Sequence, residues 1–392
     1  MQFAYDDVKS TIAILNFMKV LHVYRTYFPD TQGGLEEVIR QICRNTQIHG
    51  VESRVFCLSA AGQSVIAREE AQVHRFHKTW EVASCGVSLS ALSGFKELVA
   101  WADIVHYHFP WPFADLLHLL AQVKKPTVVT YHSDIVRQQG LLKLYRPLMR
   151  QFLGQVDCIV ATSPNYAANS EELIRFADKV EVIPIGLDEA SYPTAQDEAT
   201  EAIKSRCGEG FFLFIGVLRY YKGLHILLEA IQNTELRVVI AGFGPIENAL
   251  REQAQQLGLA NLQFLGYVSD EEKVALIQLA TAIVFPSHLR SEAFGVTLLE
   301  GAMLAKPLIT TEIGTGTSYV NRDGETGLVV APADVQALRQ AMLQLAMDAP
   351  LAERMGAAAR QRYLALFTGQ RMGENYVGVY RKLLADPETA GD

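Results

Sequence analysis

Short apolar runs alternate with longer segments of helical period, and the pattern halts at a polar stretch before starting again. Such alternation is the signature of parallel strands joined by helices. In the first series the strand-like runs are Lys19 to Tyr24, Ser53 to Leu58, Val73 to Phe76, Ile104 to His108, Thr127 to Tyr131, Cys158 to Ala161 and Val180 to Ile183. The second comprises Phe211 to Leu218, Leu236 to Gly242, Leu262 to Gly266, Ala282 to Pro286, Pro307 to Thr311 and Gly327 to Val330. The stretch "SYPTAQDEATEAIKSRCGEG" separates them and fits a linker near Glu189 to Gly210. At 392 residues the chain is also too long for one typical core. The expected fold class is α/β, with two Rossmann-like doubly wound domains facing a cleft. An N-terminal extension would cover residues 1–17, the first domain 18–190, the second 191–360, and a helix in 361–392 would cross back to the first domain. Open sheets of this kind bind ligands at the carboxyl ends of their strands.

Composition narrows the function classes. With 49% hydrophobic and 20% charged residues the chain is a soluble globular protein rather than a disordered one. Its net charge of -8 argues against a general nucleic-acid binder, which needs clustered Lys and Arg. Cys43, Cys57, Cys85, Cys158 and Cys207 show no CxxC or metal-ligand spacing, so reduced, mostly buried thiols are expected. No apolar run approaches the roughly 18 residues of a membrane span. Asp6 and Asp7 stand where an export signal would carry positive charge, so a cytoplasmic location is expected.

The strand ends carry the unusual residues. "SEAFGVTLLEG" sets Glu292 on a loop and Glu300 inside a helix that starts near Gly295 or Val296. The two acids would bracket a helix N-terminus, whose unpaired N–H groups and partial positive charge suit phosphate. After "FFLFIGVL" come Arg219 and Lys222, a candidate diphosphate clamp or two solvated surface cations. The Gly242-Phe243-Gly244-Pro245 turn either lets backbone approach a ligand or is simply tight. Tyr267 and Val268 sit where a flat base could lie, or pack in the ordinary way. Gly33 and Gly34 form a loop after the first strand that permits close approach of a phosphate or sugar, without the G-x-G-x-x-G dinucleotide fingerprint. His132 lies just past a strand with Asp134 beside it, as a ligand-facing or a packed histidine. Arg137, Lys143, Arg146 and Arg150 alternate with leucines. That segment reads equally as a face for an anionic membrane and as a core-facing helix.

Taken together, the paired domains, the Gly-Gly loop, "RYYKG", "GFGP" and above all the E-x7-E element "EAFGVTLLE" resemble retaining glycosyltransferases of the GT-B fold, family 4, from Met18 onward. "TYHSDIV", "YYKGLHIL", "FPSHLRSEAFG" and "EIGTGTS" are most similar to bacterial mannosyltransferases that build lipopolysaccharide O-antigen from GDP-sugars. The resemblance implies transfer of a sugar, GDP-mannose being the first donor expected, to a polyprenyl-diphosphate-linked glycan with the α configuration kept. It implies that Arg219 and Lys222 hold the diphosphate. Glu292 would bind donor-sugar hydroxyls beside the Phe294, Gly295 and Val296 backbone, and Glu300 the ribose. Tyr267, Val268 and the Gly244 turn would meet the nucleotide, His132 would lie at the sugar, and Gly33 and Gly34 would face phosphate and acceptor. Arg219 and Lys222 stand three apart, closer than in many members of the family. No D-x-D motif occurs, and two cations can stand in for Mg²⁺, so no metal cofactor is expected. GDP-rhamnose or a UDP-sugar is the alternative donor, and a nucleotide-sugar binding module without turnover is the alternative class. Peripheral contact with the inner face of the cell membrane through Arg137 to Arg150 is a further expectation.

Overall fold

The structure is a computed structural model and describes residues 17–82, 85–88, 90–135, 139–194 and 197–385. The expected extension therefore lies outside the described residues except for Phe17, as does Arg137. In chain order the first half contributes β1 (Met18–Val23), β2 (Val51–Ser59), β3 (Ser64–Ala67), β4 (Gln72–His77), β5 (Trp80–Val82), β6 (Cys85–Val87), β7 (Ile104–Phe109), β8 (Thr127–Tyr131), β9 (Cys158–Ala161) and β10 (Val180–Val182). The second half contributes β11 (Phe211–Ile215), β12 (Val238–Ala241), β13 (Leu262–Gly266), β14 (Ala280–Phe285), β15 (Leu308–Thr311) and β16 (Gly327–Val330).

Eight strands form one sheet in the order β10-β9-β8-β7-β1-β2-β4-β3, parallel except for β3 against β4. Six form a second, fully parallel sheet in the order β13-β12-β11-β14-β15-β16. The runs TVVTY of β8 and FFLFI of β11 are buried at every position, because helices cover both faces of a parallel sheet. Strand order reverses between β1 and β7 in one sheet and between β11 and β14 in the other. Crevices open at such switch points.

The antiparallel strands escape the apolar-run signal. Along β3, half-buried and exposed residues alternate at the sheet edge, and β5 and β6 pair only with each other. β11 stops at Ile215 instead of reaching Leu218, where Gly216 takes a φ of 147° and the chain turns away. The expected linker is partly helical: Asp197–Cys207 forms a helix that packs on the helix Asp270–Leu279. Four of the five cysteines are buried and Cys85 is half-buried, all as free thiols.

The C-terminal segment divides at Phe367 and Thr368 into the helices Ala349–Leu366 and Gly369–Ala385. The second crosses back onto the first half and lies along the helix Gly34–Gln47. Gly373 allows this closeness, since a Cβ there would sit 2.3 Å from the Asn45 carbonyl oxygen. The same helix lowers two tyrosines onto the first sheet. The Tyr380 hydroxyl is 2.7 Å from His106 Nδ1, His106 Nε2 is 2.7 Å from the Thr130 hydroxyl, and that hydroxyl is 2.8 Å from the Tyr376 hydroxyl. All four side chains are buried. Tyr380→Phe leaves a buried imidazole nitrogen without its partner and is expected to cost about 1–3 kcal/mol in urea unfolding; a variant as stable as the parent would show that this bond does not anchor the helix.

Candidate active site

A cleft of about 700 Å³ runs between the carboxyl ends of the two sheets. Two helix N-termini meet across it. The helix Gly34–Gln47 follows β1, the helix Val296–Met303 follows β14, and a Cβ added to Gly34 would lie 3.6 Å from Val296 Cγ2. Gly295 caps the second helix with a φ of 87°, a conformation that favours glycine. Each end offers backbone N–H groups lacking intrahelical partners, so negative charge is favoured where they converge.

Lys222 and Glu292 form the centre of the site. Lys222 Nζ donates to Glu292 Oε2 at 2.6 Å, with each side chain only 11% exposed. The contact depends on how the loops after β11 and β14 lie together. Gly223 has a φ of 68°, and a Cβ there would collide with the Pro286 carbonyl oxygen at 2.0 Å. Beside it the His288 amide donates to the Tyr221 carbonyl at 3.0 Å. The ammonium of Lys222 also sits 4.6 Å from the Phe285 ring centre and 5.6 Å from that of Tyr221, within cation–π range. Arg219 opens the same turn and stands exposed on the cleft wall.

Glu300 is held in a second cluster. The Tyr192 hydroxyl donates to its Oε1 at 3.1 Å, and Lys273 Nζ lies 2.9 Å from the same oxygen and 2.9 Å from Asp270. Burial pulls the Lys273 pKa down, but the carboxylates of Glu300 and Asp270 more than reverse this and raise it above its ordinary value. Burial, with Glu300 beside it, pushes the Tyr192 phenol well above its own. Tyr192 and Lys273 escape sequence reasoning. "SDEEK" lies in a segment singled out for Tyr267 and Val268, whereas Tyr192 gives no local sign, because its partner is 108 positions away.

Tyr267 and Val268 line the cleft, the tyrosine 68% exposed, and Phe294 lines it too although its side chain is buried. Gly33, Gly34 and Val296 line it as well, but Gly244 is not among the lining residues. Its missing Cβ makes room for the Leu218 backbone, 2.4 Å from where that atom would stand, so Gly244 serves loop packing and Gly242 is the glycine of that turn that borders the cleft.

His132 follows β8, lines the cleft and is 6% exposed. Its Nε2 is 3.0 Å from His108 Nδ1, and His108 Nε2 is 3.1 Å from His22 Nδ1. Burial lowers the pKa of His132 and of His22 to about 3, and that of His108 well below its ordinary value with help from the neighbouring histidines. Asp134 turns elsewhere, accepting from the Tyr131 and Ser170 hydroxyls and facing Arg290 of the second half at 3.5 Å. The buried histidines of β1 and β7 also escape the sequence reading, although His-x-His inside an apolar run was a visible sign.

The basic segment forms the helix Gln139–Gln155. Arg150 pairs with Glu171 and Glu172, Arg146 faces Glu172, and Met149, Phe152 and Leu153 enter the core. This is the core-facing reading of that helix. No helix among the described residues is long and apolar enough to cross a membrane.

Comparison with known proteins decides the family. The family described as "Glycosyltransferase Family 4" matches residues 32–191, and "Glycosyl transferases group 1" matches residues 195–362. The D-rhamnosyltransferase WbpZ of Pseudomonas aeruginosa is 54% identical over 352 residues, covering 90% of this chain and 92% of that one. The chain belongs to glycosyltransferase family 4. The O-antigen chain mannosyltransferase C of Escherichia coli is 49% identical over 369 residues, 94% of this chain and 99% of that one. Sucrose-phosphate synthase from Thermosynechococcus elongatus superposes with a TM-score of 0.78 at 19% identity, covering 94% and 99% of the two chains. HepE of Anabaena, solved with UDP-glucose, gives 0.74 at 17%, covering 93% and 100%. The glycosyltransferase thus has the GT-B fold, as its E-x7-E element implied.

Because burial depresses the pKa of His22 and His132, the glycosyltransferase is expected to lose stability in acid. A group whose folded pKa is depressed takes up protons first in the unfolded state, so the stability it allows is full above 6.5 and falls as pH drops towards 3. Between pH 7.5 and 5.5 the unfolding free energy is expected to fall by about 1.4 kcal/mol for each of His22 and His132. Urea titrations at the two pH values check this, and a flat profile would contradict it.

Proposed function

We propose that the cleft takes a GDP-sugar, GDP-mannose first, and transfers its sugar with retention to a glycan carried on a polyprenyl diphosphate in O-antigen assembly. The carrying observation is the buried Lys222–Glu292 contact where two helix N-termini converge. It sets a cation for the diphosphate beside a carboxylate for sugar hydroxyls. Arg219 adds a second cation that can fork onto phosphate oxygens. Glu300, held by Tyr192 and Lys273, receives the ribose hydroxyls, and Tyr267 and Val268 border the base. His132 faces the sugar from the opposite lobe.

In the transfer, the bond between the anomeric carbon and the β-phosphate oxygen breaks while an acceptor hydroxyl bonds to that carbon on the same face. The acceptor proton passes to the departing phosphate oxygen. Charge develops on the diphosphate as it leaves, and preorganised cations at that point are worth several kcal/mol. No protein base is required by this scheme. Arg25, Arg40 and Arg68 line the wall of the first lobe, where a diphosphate-bearing acceptor would enter, with Arg40 and Arg68 paired to Glu37 and Glu70.

The names of the two similar enzymes favour mannose and D-rhamnose, which differ only in the hydroxyl at C6. Incubation with radiolabelled GDP-mannose, GDP-D-rhamnose and UDP-glucose plus a synthetic lipid-diphosphate acceptor tests the reading, with the product anomer assigned by NMR. Preferred transfer from GDP-mannose to an α-linked product is expected; preferred use of the UDP-sugar, or a β-linked product, would refute it. Arg219→Ala, Lys222→Ala and Glu292→Ala should each slow transfer by a factor on the order of 10² or more. Lys222→Ala and Glu292→Ala should also lose roughly 3–5 kcal/mol of stability, because each leaves a buried charge without its partner. Thermal melts recorded with the kinetics separate the two effects.

A further inference from the structure

The chemistry above uses only the outermost of four histidines packed together in the first lobe. His22 on β1 and His106 and His108 on β7 share one face of the sheet, with ring centres 4.5–5.4 Å apart. Their ligand nitrogens fall within 4.8 Å of one another. Counting bonds argues against a metal there. Both nitrogens of His106 are engaged by Tyr380 and Thr130, and both of His108 by His22 and His132. Only His22 Nε2 is left, buried without a partner.

That leftover atom orients the row. Each imidazole-to-imidazole bond needs one N–H and one lone pair, so a row of neutral rings has two possible polarities. In one, His132 Nε2–H donates to His108, His108 Nε2–H donates to His22, and the proton of His22 is left on Nε2. A buried N–H without an acceptor is then stranded, a rarer arrangement than an unmet acceptor. In the other, His22 Nδ1–H donates to His108 Nε2, His108 Nδ1–H donates to His132 Nε2, and His22 Nε2 is a bare lone pair. The second arrangement strands no hydrogen. It puts the proton of His132 on Nδ1, the ring nitrogen not engaged by His108. The three rings are 0%, 1% and 6% exposed, and burial disfavours the imidazolium form that would blur this choice.

We propose that the buried row His22–His108–His132 fixes the tautomer of His132 so that Nδ1 presents an N–H to an oxygen of the bound donor. His108 and His22 thereby become positioning residues for sugar transfer. This rests on the reading that places His132 at the donor sugar. The opposite tautomer would offer a lone pair, which a ring or phosphate oxygen cannot use and a hydroxyl could meet only by reorienting.

The test compares two substitutions of nearly the same shape. His108→Asn sets an amide N–H₂ near the position of the Nδ1 that donates to His132, whereas His108→Leu fills the same space without a donor. Both lose the contact with His22 equally, so structural damage alone would affect them alike. The Asn variant is expected to keep kcat near the parent value, and the Leu variant to lose about tenfold in kcat with little change in the donor KM. In the unsubstituted protein, ¹⁵N spectra of histidine-labelled enzyme should show His132 with a pyrrole-type Nδ1 and a pyridine-type Nε2, its signals assigned by their loss in His132→Gln. This measurement stands even if the Leu variant fails to fold. A pyrrole-type Nε2 in His132, or equal activity of the Asn and Leu variants, would overturn the inference. If His132→Ala transferred sugar at the parent rate, the placement of His132 at the donor would fail instead, and the spectra would still decide the polarity of the row.

Discussion

The short contact between Lys222 and Glu292 is the interaction on which the site depends. Two opposite charges taken out of water are stable together only when the geometry is good and the surroundings stay fixed. The chain supplies that fixity with backbone. Gly223 lets the loop after β11 lie directly against Pro286, and the bond from His288 to Tyr221 ties the loops after β11 and β14 side by side. An alanine at 223 would force apart the strands' ends that carry the cation and the acid. Parallel sheets with reversed strand order deliver both loops to the same edge. The fold therefore serves the chemistry by placing strand ends, while the charges themselves come from single residues on them.

The first lobe solves a different problem. A core normally excludes imidazoles, yet four are packed there, bonded to one another, to Thr130 and to Tyr380 of the returning C-terminal helix at every buried nitrogen but His22 Nε2. That helix completes a polar network in the opposite half, so it links the lobes chemically as well as by packing. Asp134 and Arg290 make a second connection across the cleft. Shared bonds of this kind tie the two lobes to each other beside the cleft.

Much of this was legible from local pattern. Thr127–Tyr131 and Cys158–Ala161 lie where apolar runs begin and end, because a parallel strand buried on both faces has to be apolar on both, and the edge strands Leu262–Gly266 and Gly327–Val330 keep the same apolar run although they are only partly buried. Glu292, Lys222 and His132 were findable as residues lining the cleft for a related reason: strand ends collect in one place. What stayed hidden was set by distant partners. Tyr192 reaches Glu300 across 108 positions, and His22 meets His108 across 86. Spacing also could not say which glycine of "GFG" faces the cleft and which makes room for Leu218. Nor could a polar, uninterrupted stretch reveal that Asp197–Cys207 folds into a helix, since its support comes from the helix Asp270–Leu279.

The most direct measurement is diffraction from crystals of the protein soaked with GDP. The diphosphate is expected at the meeting point of the two helix N-termini, within hydrogen-bonding reach of Lys222 and Arg219, with the ribose hydroxyls on Glu300. A diphosphate bound elsewhere in the cleft, out of reach of Lys222 and Arg219 and with Glu300 untouched by ribose, would contradict it.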